Sequence, residues 1–331
     1  MPPKTVHRSP PFQLQPPSLY SAALFLPDAG LTAMADERPN LMKLLDRVRD
    51  LPALPQVLMK LLRCINDEVS GAQQVGSVVS HDTALATKVL RVANSSFYAR
   101  SSHVDSIQEA ITIVGFSTLR SLTVSSSVIS YFGSRTGFSH LAFWQQSLGV
   151  ALLAEFLAKQ SRVVNAGGAF TAGLLHDIGK IVFEQNLPKT FAGVLAYARA
   201  KKLTFNAAEK LLVDGSSAEL ASALAKHWSL PEVLQGVTAH WEHPERCRDA
   251  ATGRLTATVH LARYLYRAQG TDATLDFDEL GEINEQMWAA LSLPPLTELA
   301  LSIYECIART QVLTGEINGL LKTPAPKTTK N

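Results

Sequence analysis

Along most of the chain the apolar residues recur three and four positions apart, the spacing of one face of an α-helix. In residues 56–65, Val57, Leu58, Leu61, Leu62 and Ile65 share a face, and Pro52 and Pro55 stand ahead of it, where a helix start tolerates proline. A short helix is predicted over 72–79. Asp82 is placed to cap a helix over 84–93, whose apolar positions are Leu85, Val89, Leu90 and Val92. Ser106, with Glu109 three residues on, has the spacing of a capping box for a helix over 107–114 that Gly115 ends. The next helix is predicted over 118–129; its β-branched run Val124–Val128 would also suit a strand, but the flanks are helical. A long helix over 141–159 follows, then one over 167–175 with Gly179 as a break. The same periodicity predicts helices over 188–200, 205–212, 217–228, 231–241, 255–268, 277–291 and 295–321, with Pro188 in a first turn that does not need its missing N–H. No alternation is sustained enough for a sheet and no fixed repeat is present. The expected fold class is all-α.

The ends break this pattern. Residues 1–33 are punctuated by Pro2, Pro3, Pro10, Pro11, Pro16, Pro17 and Pro27 and carry no period, so they read as a flexible Pro-rich tail ahead of a folded region opening near Met34. The stretch after Lys322 is tail-like as well. Composition narrows the classes further. Hydrophobic residues make up 46% of the 331 and charged residues 18%, enough for a sizeable core, which excludes global disorder. The net charge of +2 comes from interspersed acids and bases, with no basic stripe, so direct nucleic-acid binding is not expected. Cys64, Cys247 and Cys306 are far apart and form no CxxC unit, which fits a reducing compartment. No apolar run of about 18 residues suggests a membrane span. Residues 21–26 are too short an apolar run for a secretory signal. A cytoplasmic location is the expectation.

One string carries candidate chemistry: Thr171-Ala172-Gly173-Leu174-Leu175-His176-Asp177-Ile178-Gly179-Lys180. Adjacent His and Asp at the end of an apolar helix, followed by Ile-Gly-Lys, resemble the HD superfamily of metal-dependent phosphohydrolases. Other stretches resemble its HDOD branch in order along the chain: Leu51-Pro52-Ala53-Leu54-Pro55, Ser80 to Leu85, Arg91 to Tyr98, Ser106 to Ile111 with Gly115 and Leu119-Arg120-Ser121, Ala225 to Pro231, and His240-Trp241-Glu242-His243-Pro244. The resemblance covers about residues 44–265. It implies an N-terminal HDOD helical subdomain over 36–135 packed on an HD-like helical subdomain over 136–270, with a C-terminal helical extension over 271–321 and tails at 1–35 and 322–331. It also implies a bacterial signalling or regulatory protein, of a family often linked to two-component and cyclic-dinucleotide pathways.

A hydrolytic metal site needs three or more protein ligands and an open position for an activated water. Carried over residue by residue, the family's ligand pattern is broken here. The early His position holds Gln146; the His-Asp pair is His176 and Asp177; the next His position holds Ser217; the following His is His240; the late Asp position holds Arg263. Gln146 offers a weak neutral oxygen and Ser217 is a poor ligand. Arg263 would repel a divalent ion. An Asp177–Arg263 bridge would instead neutralise the carboxylate without metal, and a separation above about 6 Å would remove that idea. On this ligand count His176 and Asp177 read as an inherited structural pair, a core histidine beside a carboxylate that caps the next helix or binds Arg263. His240 follows them. Lys180 suits a substrate phosphate in an active enzyme and, here, a salt bridge or a helix-terminal cation.

Arg91, Asn94, Phe97 and Tyr98 would form a ligand or partner surface, or equally packing with a polar turn in which Asn94 bonds local backbone. Trp144, Trp228 and Trp241 lie near the altered positions and read as core, or as walls of a vacated pocket. No receiver, cyclase or DNA-binding domain is expected in the chain. The reading that follows is a non-catalytic protein-interaction module with no cofactor, whose partners are signalling proteins and whose oligomeric state is open. One rival is a metal-dependent phosphohydrolase of nucleotides or cyclic dinucleotides, with a divalent metal on His176, Asp177 and His240. The other is a metal-free nucleotide sensor, which would be stabilised by ligand without turning it over.

Overall fold

The computed structural model describes residues 38–44, 76–81, 83–94, 104–115, 128, 140–162, 164–268 and 284–322. Within them the chain is helical throughout, and the sole sheet-like feature is an isolated parallel bridge between Asn40 and Asp214. Helix α1 spans Thr83–Ala93 and α2 spans Ile107–Val114; residues 76–80 are also helical. The Ser106 cap is formed, its Oγ accepting from Glu109 N, and Gly115 leaves the helix at φ 84, a left-handed value that glycine adopts without strain. The expected helices over 56–65 and 118–129, apart from residue 128, which is helical, lie outside the described residues, as does the Asp82 cap. The expected divisions near 35, 135 and 270 also fall outside them.

Helix α3, His140–Ser161, is apolar around most of its circumference, from Ala142, Phe143 and Trp144 through Leu148 and Val150–Ala154 to Leu157 and Ala158, all buried. A helix apolar on every side belongs in the middle of a fold. Accordingly α3 packs against α4 (Ala166–Leu175), α10 (Ala250–Arg267) and α12 (Leu296–Lys322). Between α4 and α10 lie α5 (Gly179–Asn186), α6 (Pro188–Ala200), α7 (Phe205–Leu212), α8 (Ser217–His227) and α9 (Glu232–His240). Here α5 packs on α8, α8 on α9 and α9 on α10, while α6 and α7 pair with each other. A short helix α11 (Glu285–Ala290), capped by Asn284, precedes α12.

Helix α10 starts at Ala250, ahead of the expected 255, because the Asp249 carboxylate accepts from Thr252 N at 2.8 Å and caps a first turn that carries no apolar periodicity. The segment before α1 is tied down far from its sequence neighbours. Leu41 N donates to Asp214 O at 2.8 Å and Asp214 N to Pro39 O at 3.0 Å, while Leu41 and Leu44 are buried.

The α5–α8 crossing depends on Gly179. A Cβ there would overlap the Ser217 carbonyl oxygen and lie 2.7 Å from Ala221 N, so only glycine lets the two backbones meet. Gly149 does the same for α3 against the Tyr266 ring of α10. Gly179→Ala is expected to lower stability by roughly 2–4 kcal/mol, read as a fall in the urea midpoint. Gly253→Ala, whose Cβ would meet nothing nearer than Cys247 Cβ at 3.7 Å, is the control, and its midpoint is expected to hold or rise.

Candidate functional site

Helix α4 is buried along almost its whole length and ends at Leu175. The three residues His176–Ile178 turn the chain into α5, held by Ile178 N to Leu175 O at 3.1 Å and Lys180 N to Asp177 O at 3.0 Å. This tight turn keeps His176, Asp177 and Lys180 inside the protein. His176 Nδ1 donates to Gly173 O at 2.6 Å, which leaves Nε2 bare, and its ring meets Trp241 edge to face at 4.8 Å. Burial pulls the imidazole down to about 4, against the opposing pull of Asp177, so it is neutral near pH 7.

The Asp177 carboxylate accepts from Lys180 Nζ at 2.6 Å. Burial alone would raise its pKa; the Lys180 ammonium, with His176 and then Arg263 behind it, overrides burial and holds the carboxyl below the usual range. The ammonium also stands 4.9 Å from the centre of the Phe205 ring, a cation–π contact that helps to solvate it. Side chains three residues apart meet on one helical face, so a turn already helical in character brings Lys180 onto Asp177.

A second carboxyl, Glu209, extends this centre. Its oxygens accept from Ser217 N and Ser217 Oγ, both at 3.1 Å, and so hold the first turn of α8. Burial pushes Glu209 up to about 7 despite the Lys180 charge and the Ser217 donors. Sequence reasoning missed this residue. The signal was its place on α7, among the buried positions Phe205, Ala208 and Leu212, where an acid interrupts an apolar face.

The structure therefore brings together His176, Asp177, Lys180, Glu209 and Ser217, with Arg263 acting on the pair through its charge. Lys180 takes the salt-bridge role at Asp177, one of those expected for it, and Arg263 also lowers the carboxyl, by less. The Asp177 side chain does not cap α5, whose N-cap Ile178 has no side-chain bond. Gln146 is buried on α3. His240, half-buried at the end of α9, faces a polar cleft. Trp144, Trp228 and Trp241 are core residues. Asn94 bonds backbone locally and across its loop, to Leu90 O and to both the N–H and the carbonyl of Val104; Arg91 is exposed on α1, and Phe97 and Tyr98 lie outside the described residues.

These residues do not fit a three-ligand metal site. Among the described residues no three His, Cys, Asp or Glu side chains are grouped to hold a metal, and the pair's carboxylate already carries an ammonium. His176 Nε2, the other donor, lies 4.0 Å from Asp177 Oδ2 and has no hydrogen-bond partner. The centre is sealed, with His176 at 0% and Asp177 at 3% exposure. No helix among the described residues is long and apolar enough to cross a membrane.

The HDOD domain family matches residues 51–244. An uncharacterised protein of Treponema pallidum (strain Nichols) is 27% identical over 204 residues, which is 60% of this chain and 39% of that protein's length. The crystal structure of an HDOD domain protein of unknown function from Geobacter sulfurreducens is 25% identical, with a TM-score of 0.66 over 83% of this chain and 99% of that one. A Shewanella amazonensis SB2B protein, provisionally named a phosphohydrolase, is 26% identical, with a TM-score of 0.60 over 86% of this chain and 99% of that one.

Lys180→Met would leave the buried Asp177 carboxylate without its hydrogen-bonded ammonium, and is expected to destabilise by about 3–5 kcal/mol in urea unfolding; adding Asp177→Asn should restore most of the loss. The pH dependence separates the other two groups. His176 is depressed from 6.5 to about 4, so its share of stability is full above pH 6.5 and is lost as pH falls towards 4. Glu209 is raised from 4.5 to about 7, so its share is full below pH 4.5 and is lost as pH rises through about 7. The slopes oppose each other, each amounting to roughly 3 kcal/mol. Glu209→Gln is expected to expose the His176 slope, with unfolding free energy rising steadily from pH about 4.5 to about 6.5. A pH profile identical to that of the unsubstituted protein would contradict the Glu209 assignment.

Proposed function

This chain belongs to the HDOD domain family, and we propose from that premise that it is a non-catalytic regulatory module of bacterial signal transduction that acts by binding other proteins. The observation that carries the reading is the Asp177–Lys180 pair, 2.6 Å apart in a sealed core. Metal-assisted hydrolysis requires a carboxylate free to ligate, further ligands around the same point, and a coordination position open to water. Here the carboxylate is already neutralised by an internal ammonium, and Arg263 adds a second positive charge that disfavours a divalent ion. The partners suited to such a module are signalling proteins of two-component or cyclic-dinucleotide pathways, the setting that family membership suggests.

One observation favours a second reading. The bare Nε2 of His176 is a ligand-type lone pair without a hydrogen-bond partner, and a relative of similar fold carries a phosphohydrolase name. A hydrolase would have to displace Lys180 from Asp177 and recruit His240. Metal analysis decides between the two, on protein produced with iron, manganese and zinc available and purified without chelator. The expected content is under about a tenth of an equivalent, with no hydrolysis of nucleotides or cyclic dinucleotides above buffer. One or two equivalents, with turnover abolished by Asp177→Asn, would overturn the proposal.

A further inference from the structure

Apart from the His176–Asp177 centre, a cleft of about 1340 Å3 opens between α7, α8, α9 and the 3-10 turn Pro244–Arg246. It has room for a small-molecule ligand of nucleotide size. His176, Asp177, Lys180 and Arg263 do not line it. Basic side chains reach it from separate parts of the chain: Arg38 before the first turn, Lys210 from α7, Lys226 from the end of α8 and Arg246 beyond α9. Imidazoles join them at His227, His240 and His243. No local pattern requires these segments to be basic on the same side; the fold brings them together.

Four acids line the same cleft, and three of them are engaged. Glu242 pairs with Lys210 at 3.2 Å, Glu209 accepts both Ser217 donors, and Glu219 accepts from Ser216 Oγ at 3.1 Å. By contrast, no salt bridge within 4.0 Å neutralises Arg38, Lys226 or Arg246 among the described residues. Guanidinium groups present paired N–H donors that match phosphate oxygens, and a lysine adds a point charge. Asp214 supplies an acceptor on the same walls for hydroxyl or ring N–H donors.

We propose that this cleft binds a phosphorylated, hydroxyl-bearing small molecule, its phosphate held by Arg38, Lys226 and Arg246. Arg38 belongs to the segment docked on Asp214 through the Asn40 bridge, so the ligand also braces residues 38–44 against α8. Glu209 and His240 also line the cleft, but the phosphate-holding residues Arg38, Lys226 and Arg246 lie outside the His176–Asp177 centre, so metal content at that centre and phosphate binding here are read separately.

The test is isothermal titration of the full chain with AMP, ribose 5-phosphate, inorganic phosphate and unphosphorylated ribose at constant ionic strength. Saturable binding of at least one phosphorylated organic probe with Kd below about 1 mM is expected, with none for ribose. Arg246→Glu and Arg38→Glu should each weaken it tenfold or more, while Lys189→Glu, at an exposed position in the first turn of α6 and not lining the cleft, leaves it unchanged. Thermal melting confirms that each variant is folded. Three results would overturn the proposal: no saturable heat with either phosphorylated organic probe, equal weakening in Lys189→Glu, or full affinity kept in both arginine variants. Inorganic phosphate binding as tightly as AMP and ribose 5-phosphate would also count against it, since it marks an adventitious ion only.

Discussion

Removing a carboxylate and an ammonium from water costs several kcal/mol for each ion, and their mutual attraction repays this only at close range with further polar support. The Asp177–Lys180 pair meets those conditions at the turn between α4 and α5, with 2.6 Å between the charged groups and the Phe205 ring beside the ammonium. Much of the surrounding architecture answers to it. The Lys180 charge reaches Glu209, and Glu209 in turn fastens the first turn of α8 through Ser217. A pair that looks local thus ties α4, α5, α7 and α8 to a single arrangement.

That arrangement is possible only because two backbones approach at Gly179, where any side chain would strike the Ser217 carbonyl. The same serine is the donor to Glu209, so steric fit and hydrogen bonding fix one point of the fold together. The buried α3 supplies the apolar mass against which α4 and α10 can hold a charged centre without admitting water. Exclusion of water strengthens the pair electrostatically.

Glu209 stands at the boundary between two regions of different character. Its carboxyl is bonded to Ser217 in the interior, and the same residue lines the polar cleft. The interior region is made of the Asp177–Lys180 pair, the Ser217–Glu209 hydrogen bonds and a neutral His176. The cleft is open and lined by charges of both signs from distant segments, including the N-terminal stretch bridged at Asp214.

The sequence alone determined the helical character and many of the boundaries. The predicted helices 188–200 and 205–212 coincide with α6 and α7, and the Ser106–Glu109 cap forms as its spacing requires. These features are set within a few residues by backbone periodicity and local hydrogen bonding. The family relationship was legible too, because its motifs are strings of adjacent residues. Only the tertiary structure decided that Lys180 outranks Arg263 at Asp177, that Glu209 joins the centre through Ser217, and that His240 turns to the cleft with Arg38, Lys226 and Arg246. Arg263 was the natural sequence-based choice because it replaces an acid in the family's ligand pattern. Which cation comes closest, however, is fixed by how a three-residue turn and several packed helices place side chains in space, and that information is not carried by spacing along the chain.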